Sequence, residues 1–339
     1  MYTFENMENK SSKPQHLKWG LISTARINRA LIKPLRESER NELLAVASRS
    51  QDTAELYAAE WEIPKAYSSY QAMLDDPQID VVYNSLPNSL HTEWTVKALQ
   101  AGKHVLCEKP LATTLEDVDA MQNAAQKSGC YVVEAFMYRH HPQTLRVKEM
   151  VEQGSIGMVQ LIKGGFTFNI QSETNVRLNP DLGGGSVWDV GCYPISYARY
   201  ILGLEPEVVF GWQVTGNSGV DEIFSGQMQF PGGVFAQFDS GFRSPYRSRI
   251  EIVGSQGALV IPRPFNPGLE ASIELWDGEK METIGMPSQE LYLGEVEDLA
   301  DVILLGKTPR MSLEDSRNNV RTILGLLRSA QSGIPETLV

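Results

Sequence analysis

Two residues far apart in the chain have the types needed to move a proton on and off an oxygen. Lys109 lies in Glu108-Lys109-Pro110, which closes the apolar run Lys103-His104-Val105-Leu106-Cys107. Tyr193 ends the stretch Leu182-Gly183-Gly184-Gly185-Ser186-Val187-Trp188-Asp189-Val190-Gly191-Cys192-Tyr193. Oxidising an alcohol requires a base for the hydroxyl proton, and reducing a carbonyl requires an acid. A phenol with an ordinary pKa of about 10 is a poor base at neutral pH. A neighbouring lysine ammonium favours the phenolate, and Lys109 can also donate to a developing alkoxide. Asp189 stands four positions before Tyr193, so on a helix the two share a face. It can orient a substrate, balance Lys109, or cap the helix expected from Gly191 to Ile201. Simpler readings stand beside these: Lys109 as a solvated strand end, Tyr193 as a core residue. Arg139 is a candidate substrate contact or a structural ion pair; Trp188 and Phe242 read as core.

These residues need a scaffold, and the first half of the chain alternates strands with helices. The expected strands are Leu17 to Ser23, Leu43 to Ser48, a third led by Val81-Val82-Tyr83 and ending at Pro87, His104 to Cys107, and Tyr131 to Glu134. Between them fall helices over Ala25 to Arg36, Asp52 to Trp61, Thr92 to Gln100 and Leu115 to Lys127. This order implies right-handed crossovers and a parallel sheet. The second half reads as an antiparallel sheet: Met158 to Phe168, Val208 to Val214, Phe224 to Phe230, Val234 to Phe242, and a hairpin of Ala271 to Trp276 with Lys280 to Ile284 across Asp277-Gly278. Two helices close the chain, Gly294 to Leu305 and Ser312 to Ser332, the second opening on a capping-box pattern at Ser312 and Asp315. The expected division is an N-terminal arm at 1–16, a nucleotide-binding domain at 17–138 and a substrate-binding, oligomerising domain at 139–339.

The turn after the first strand, Ser23-Thr24-Ala25-Arg26-Ile27-Asn28, stands where a dinucleotide loop would read G-x-G-x-x-G. Ser23 and Ala25 are small enough for close backbone approach to a pyrophosphate, and Arg26 adds a cation. The second strand ends in Ala47-Ser48-Arg49-Ser50 rather than in an acid. Ser48 and Arg49 therefore point to a 2′-phosphate, hence to NADP over NAD. The third crossover, Ser85-Leu86-Pro87-Asn88-Ser89-Leu90-His91, belongs at the carboxyl edge of the sheet. There Leu86, Pro87, Asn88 and His91 can meet the cofactor.

Composition narrows the partners. The 339 residues carry a net charge of −12 and are 42% apolar. That is enough for two cores and the wrong sign for nucleic acid or an anionic membrane. No apolar stretch approaches the length of a membrane span. Cys107, Cys130 and Cys192 show no paired spacing, and the histidines form no metal-binding pattern. No metal is therefore expected, and a reducing cytoplasm fits.

With Pro87-Asn88, His91, Ala101-Gly102-Lys103-His104-Val105, Glu108-Lys109-Pro110 and the Gly183-to-Tyr193 stretch in hand, the chain resembles the glucose–fructose oxidoreductase/inositol dehydrogenase (Gfo/Idh/MocA) family from Leu17 to about Ser332. The resemblance implies an α/β protein: a Rossmann-type parallel-sheet domain, then an α/β domain with a large, mainly antiparallel open sheet. It implies cofactor contacts from Ser23, Thr24, Ala25, Arg26, Ile27, Ser48, Arg49, Leu86, Pro87, Asn88, His91, Glu108 and Lys109. Lys109 would sit by the nicotinamide and the substrate hydroxyl, with Tyr193 and Asp189 catalytic and substrate-binding. In most of the family the segment ends in histidine. Here Tyr193 is similar to the subgroup with dimeric dihydrodiol dehydrogenase, NADP-dependent D-xylose 1-dehydrogenase and nucleotide-sugar ketoreductases. The implied activity is NADP-linked interconversion of hydroxyl and carbonyl on a sugar or polyol, with a D-xylose-like aldose at C1 as best reading. A trans-dihydrodiol dehydrogenase, a keto-sugar reductase and a non-catalytic NADPH-binding regulator are the alternatives. A homodimer built sheet against sheet is expected, drawing on Phe166, Phe168, Phe210, Trp212, Phe235 and Phe238.

Overall fold

Short, mostly buried apolar runs form the parallel sheet of the first half. The computed structural model describes residues 16–338, so the expected arm at 1–16 falls outside the described residues except for His16. In chain order the first half comprises β1 (Leu17–Ile22), α1 (Asn28–Glu37), β2 (Asn41–Ala47), α2 (Gln51–Glu60), β3 (Lys65–Tyr67), α3 (Tyr70–Leu74), β4 (Val81–Asn84), α4 (His91–Gln100), β5 (His104–Glu108), α5 (Leu115–Ser128) and β6 (Val132–Ala135). The sheet order is β3-β2-β1-β4-β5-β6, all parallel. The order reverses between β1 and β4, where open α/β sheets bind ligands beyond their carboxyl ends. Strands β1, β2 and β4 are almost wholly buried on both faces, as helices on each side of a parallel sheet require.

The second half begins with α6 (Pro142–Glu152) and β7 (Val159–Asn169), then α7 (Cys192–Leu202), β8 (Val208–Thr215), β9 (Asp221–Phe230), β10 (Val234–Gly241), β11 (Arg243–Gly254), β12 (Ala258–Pro262), β13 (Ser272–Trp276) and β14 (Met281–Gly285). After these come α8 (Leu293–Leu305), α9 (Leu313–Ser332) and β15 (Glu336–Thr337). Among the described residues the sheet runs β14-β13-β12-β11-β7-β10-β9-β8-β15. It is antiparallel except where β10 lies parallel to β7. Burial alternates along β9 from Ile223 to Phe230, the signature of a sheet with one face on a core and the other outward.

Several elements escape a pattern reading. β3 and α3 are too short to carry a period. β11 opens with Arg243, Pro245, Arg247 and Arg249, which argue against a strand; a register shift between Arg243 and Arg247 carries the proline. The closing helices also return to the first half. Arg317 on α9 pairs with Asp119 on α5 at 2.7 Å, and Arg40 binds Glu297 and Asp301 on α8. Ser312 caps α9 by accepting from the Asp315 amide at 3.0 Å.

The outward face of the large sheet differs from expectation. Phe238 is buried and Phe166 packs on Tyr193 and Phe265, so neither is available to a partner. Trp212, Val214, Ile223 and Phe235 are exposed there, as are Trp276 and Met281 toward the far edge of the sheet.

Candidate active site

The carboxyl ends of β1, β2, β4 and β5 open into one cleft of about 1480 Å³. The turn after β1 sits at its floor. Ser23 adopts φ +79°, a left-handed backbone that glycine would enter without strain. The serine is held there by its own side chain. Its Oγ accepts from the Ala25 amide at 3.1 Å and lies 3.1 Å from Ser85 Oγ. The Asn28 side chain donates through Nδ2 to the Ser23 carbonyl at 2.8 Å. The eroded glycine loop therefore keeps the turn it would have had. Thr24, Ala25, Arg26 and Ile27 line the cleft beside it.

At the tip of β2, Ser48, Arg49 and Ser50 face the same cleft. Ser50 also caps α2 at the Thr53 amide. Tyr70 and Trp94, ring centroids 4.9 Å apart and edge to face, add an aromatic wall that the sequence reading did not single out. Hydroxyl donors, an exposed guanidinium and no acid at the β2 tip fit a dinucleotide carrying a 2′-phosphate. Leu86, Pro87 and Asn88 line the next stretch. Asn88 has a further duty: its amide donates to the Gly183 carbonyl at 2.8 Å, tying the nucleotide half to the loop before Asp189.

His91 does not reach the cleft. It is fully buried, with Nδ1 2.9 Å from the Pro110 carbonyl and Nε2 2.8 Å from the Leu86 carbonyl. A neutral ring donates to one of them, and burial depresses its pKa despite these contacts. Its position fixes the segments that carry Leu86 and Lys109 rather than a ligand.

Arg139 is likewise displaced from its expected role. Its guanidinium is buried, donates to Ser196 Oγ at 3.2 Å and to Asp315 at 2.9 Å, and stacks 3.8 Å from the centre of the Tyr200 ring. It is the structural ion pair of the two readings. Trp188 and Phe242 are buried, as core.

Lys109 and Asp189 meet at the far end of the cleft. Lys109 Nζ donates to the Asp189 carbonyl at 2.7 Å and lies 3.1 Å from Oδ1. Burial works to lower the lysine pKa, but Asp189 and other nearby anions outweigh it, and the net shift is upward. For Asp189, burial works to raise the pKa. Lys109 and Arg177 outweigh it and keep the carboxylate charged.

The segment carrying Asp189 is a π-helical turn, Val187–Gly191, leading into α7. It is anchored by Asp221, whose Oδ2 accepts from Ser186 Oγ at 2.7 Å and from the Val187 amide at 2.8 Å. The wider turn replaces the regular helix face expected of Asp189 and Tyr193, and the two converge on Lys109 instead.

Tyr193 lines the cleft with Lys109 Nζ 5.1 Å from its ring centre. Its hydroxyl points to Met137 Sδ at 3.8 Å. Phe136, Phe166 and Phe265 crowd its ring. The expected easing toward phenolate does not occur in this arrangement. Burial holds Tyr193 well above the ordinary phenol value, and the neighbouring Tyr292, Cys192, Glu108 and Asp189 push it the same way. Glu108, which also lines the cleft, accepts from the Tyr83 hydroxyl, and burial raises its carboxyl pKa.

Arg177, Phe168, Met137 and Tyr292 complete this end of the cleft. Phe168, expected at a dimer interface, faces this cleft instead; Arg177, Met137 and Tyr292 carried no sequence signal, because the role of each is fixed only by where it lands.

A parallel sheet with a dinucleotide turn at its switch point, and a lysine–tyrosine pair at the end of the same cleft, define a nicotinamide-dependent oxidoreductase. Residues 17–136 match the oxidoreductase family model with an NAD-binding Rossmann fold, and residues 144–260 match the GFO/IDH/MocA C-terminal domain. The chain belongs to the Gfo/Idh/MocA family. It is 36% identical over 319 residues to D-xylose 1-dehydrogenase (NADP(+)) 2 of Haloferax volcanii, covering 93% of this chain and 98% of that one. It is 31% identical over 249 residues to trans-1,2-dihydrobenzene-1,2-diol dehydrogenase of Danio rerio, covering 73% of this chain and 74% of that one. A 3-ketoreductase from Actinomadura kijaniata, solved with NADP and TDP-benzene, superposes with a TM-score of 0.88 at 30% identity, covering 93% of this chain and 98% of that one.

Proposed function

We propose that the protein uses NADP to interconvert a hydroxyl and a carbonyl on a small sugar or polyol, and that its substrate is an aldose resembling D-xylose, reacting at C1. The observation that carries this reading is the Lys109–Asp189 pair beside Tyr193, in the same cleft as the Ser23 turn. Ser48 and Arg49 take the 2′-phosphate; Ser23 to Ile27 and Leu86 to Asn88 line the rest of the cofactor path. Bound NADP supplies the hydride chemistry. The chain's own residues manage the oxygen: Lys109 donates to it and stabilises negative charge there, Asp189 keeps the ammonium in place, and Tyr193 passes the proton.

The raised pKa of Tyr193 favours a second reading, keto-sugar reduction, in which a neutral phenol is already in the required state. The xylose and dihydrodiol enzymes share one feature of substrate chemistry: the carbon next to the reacting one also bears oxygen. A screen of aldoses, trans-diols and keto sugars with both cofactors, read by NADPH absorbance, tests the proposal. Turnover of D-xylose with NADP supports it; turnover of only keto sugars with NADPH moves the assignment to the second reading.

We infer further that two copies pair through the outer face of the large sheet, where Trp212, Val214, Ile223 and Phe235 are exposed, and that the protein works in the cytoplasm, where its three unpaired cysteines stay reduced.

A further inference from the structure

Arg177 is a built feature of the cleft rather than a solvated surface cation. Its amide donates to Asn175 Oδ1 at 3.1 Å, and its carbonyl accepts from the Gly185 amide at 2.9 Å. A Cβ on Gly184 would stand 2.5 Å from that carbonyl, so the glycine run is what lets the chain fold back against Arg177. Asn88 holds the Gly183 carbonyl from the opposite side. So fixed, Arg177 sends Nε to Asp189 Oδ2 at 2.6 Å, while Lys109 takes Oδ1 at 3.1 Å. One carboxylate thus separates two cations. The two terminal guanidinium nitrogens donate to nothing among the described residues, and the half-exposed side chain lines the cleft.

We propose that Arg177 and Asp189 form a subsite for a second substrate oxygen, on the carbon next to the reacting one, so that the enzyme selects vicinal hydroxyl or carbonyl compounds. The inference rests on the oxidoreductase reading above. A hydroxyl suits this pair because it donates to a carboxylate and accepts from a guanidinium at once. A CH₂ in its place leaves both unmatched. A hydrogen bond to a charged group in a half-open cleft is worth a discrimination of about 10–100-fold.

The test compares D-xylose with 2-deoxy-D-xylose, and trans-1,2-cyclohexanediol with cyclohexanol, on wild type, Arg177→Met and Arg177→Lys. Calorimetric titration of each probe into NADPH-loaded protein gives a readout independent of turnover. Wild type should favour the doubly oxygenated member of each pair by about 10–100-fold in kcat/KM and in affinity. Arg177→Met should erase that preference, slowing the oxygenated probe about 10–100-fold more than its partner, with NADPH affinity retained; Arg177→Lys should restore part of it. Equal use of both members by wild type overturns the subsite and leaves the oxidoreductase reading standing. Equal slowing of both by Arg177→Met also overturns it, reducing Arg177 to a support for Asp189. An Arg177-dependent binding preference without turnover of any probe upholds the subsite and rejects the reaction. Neither binding nor turnover of any probe rejects both.

Discussion

Lys109 Nζ lies 3.1 Å from Asp189 Oδ1, and the two residues are 80 positions apart in the chain. The contact joins the carboxyl end of β5 to the π-helical turn before α7, so the reactive end of the cleft exists only when both halves are folded together. The pair holds the Lys109 ammonium in the cleft, 5.1 Å from the centre of the Tyr193 ring.

Removing either proton-handling group should therefore stop chemistry without emptying the cofactor path. Tyr193→Phe is expected to lower turnover by about 10²–10⁴-fold, with NADPH affinity nearly unchanged by fluorescence titration. Lys109→Met should be at least as damaging, because it also leaves Asp189 without one of its two cations. Near-normal turnover in either variant rejects the assigned role.

Cofactor choice should follow the β2 tip. Arg49→Asp replaces the exposed guanidinium with an acid that repels a 2′-phosphate and can accept from a ribose hydroxyl. The NADP Michaelis constant should rise far more than the NAD one. A wild type that uses both cofactors equally contradicts the assignment of Ser48 and Arg49.

Arg139 offers a contrast with Arg177. It is buried between Ser196, Asp315 and Tyr200, so Arg139→Met removes its hydrogen bonds, while Asp315 keeps Arg199 at 2.9 Å, and should cost about 1–3 kcal/mol of stability. The fraction that folds should keep its substrate Michaelis constant. Chemical denaturation paired with steady-state kinetics checks both parts; a shifted Michaelis constant at unchanged stability returns Arg139 to the site.

Two buried carboxyls predict how stability varies with pH. Burial pushes Glu134 up to about 7 and Asp221 up to about 6, above the unfolded value of about 4 for carboxyl groups. The folded chain therefore binds these protons more tightly than the unfolded one. Their contribution to stability is complete below about pH 4 and is lost as pH rises through 6 and then 7. Glu134→Gln keeps an oxygen to accept from the Leu111 amide, a bond of 2.8 Å in wild type, and removes one titration. The melting temperature of the variant relative to wild type should be a few degrees more favourable at pH 8 than at pH 5. The same difference at both pH values contradicts the shift.

The outer face of the large sheet predicts assembly. Trp212 and Phe235 are about half exposed, at 58% and 47%, and exposed apolar side chains of this size mark interfaces when grouped. Light scattering behind a sizing column should give a dimer mass at micromolar protein. The double variant Trp212→Lys, Phe235→Glu should give the monomer with its melting transition retained. A monomeric wild type removes the interface.

Much of this molecule is legible in its sequence because local pattern and burial agree. The strands β1, β2, β4 and β5 are short apolar runs punctuated by helices, and only a parallel sheet satisfies that alternation. Lys109 is legible because its place at a strand's carboxyl end follows from the run before it. Ser48 and Arg49 are legible for the same reason, and Ser312 as a cap needs nothing beyond its own turn. Period, chain order and nearest neighbours therefore carry the fold class and the place of Lys109, Ser48 and Arg49 at the carboxyl edge of the parallel sheet. Tertiary structure decided the rest, because the same side chain does different work according to what lands beside it. Arg139 and Arg177 look alike on paper. One is buried under α9 against Asp315, and the other is folded back by three glycines to flank Asp189. His91 turns inward to backbone carbonyls, and burial among Phe136, Phe166 and Phe265 raises the Tyr193 pKa. Charge pairing and desolvation depend on distance through space, and separation along the chain carries no record of it.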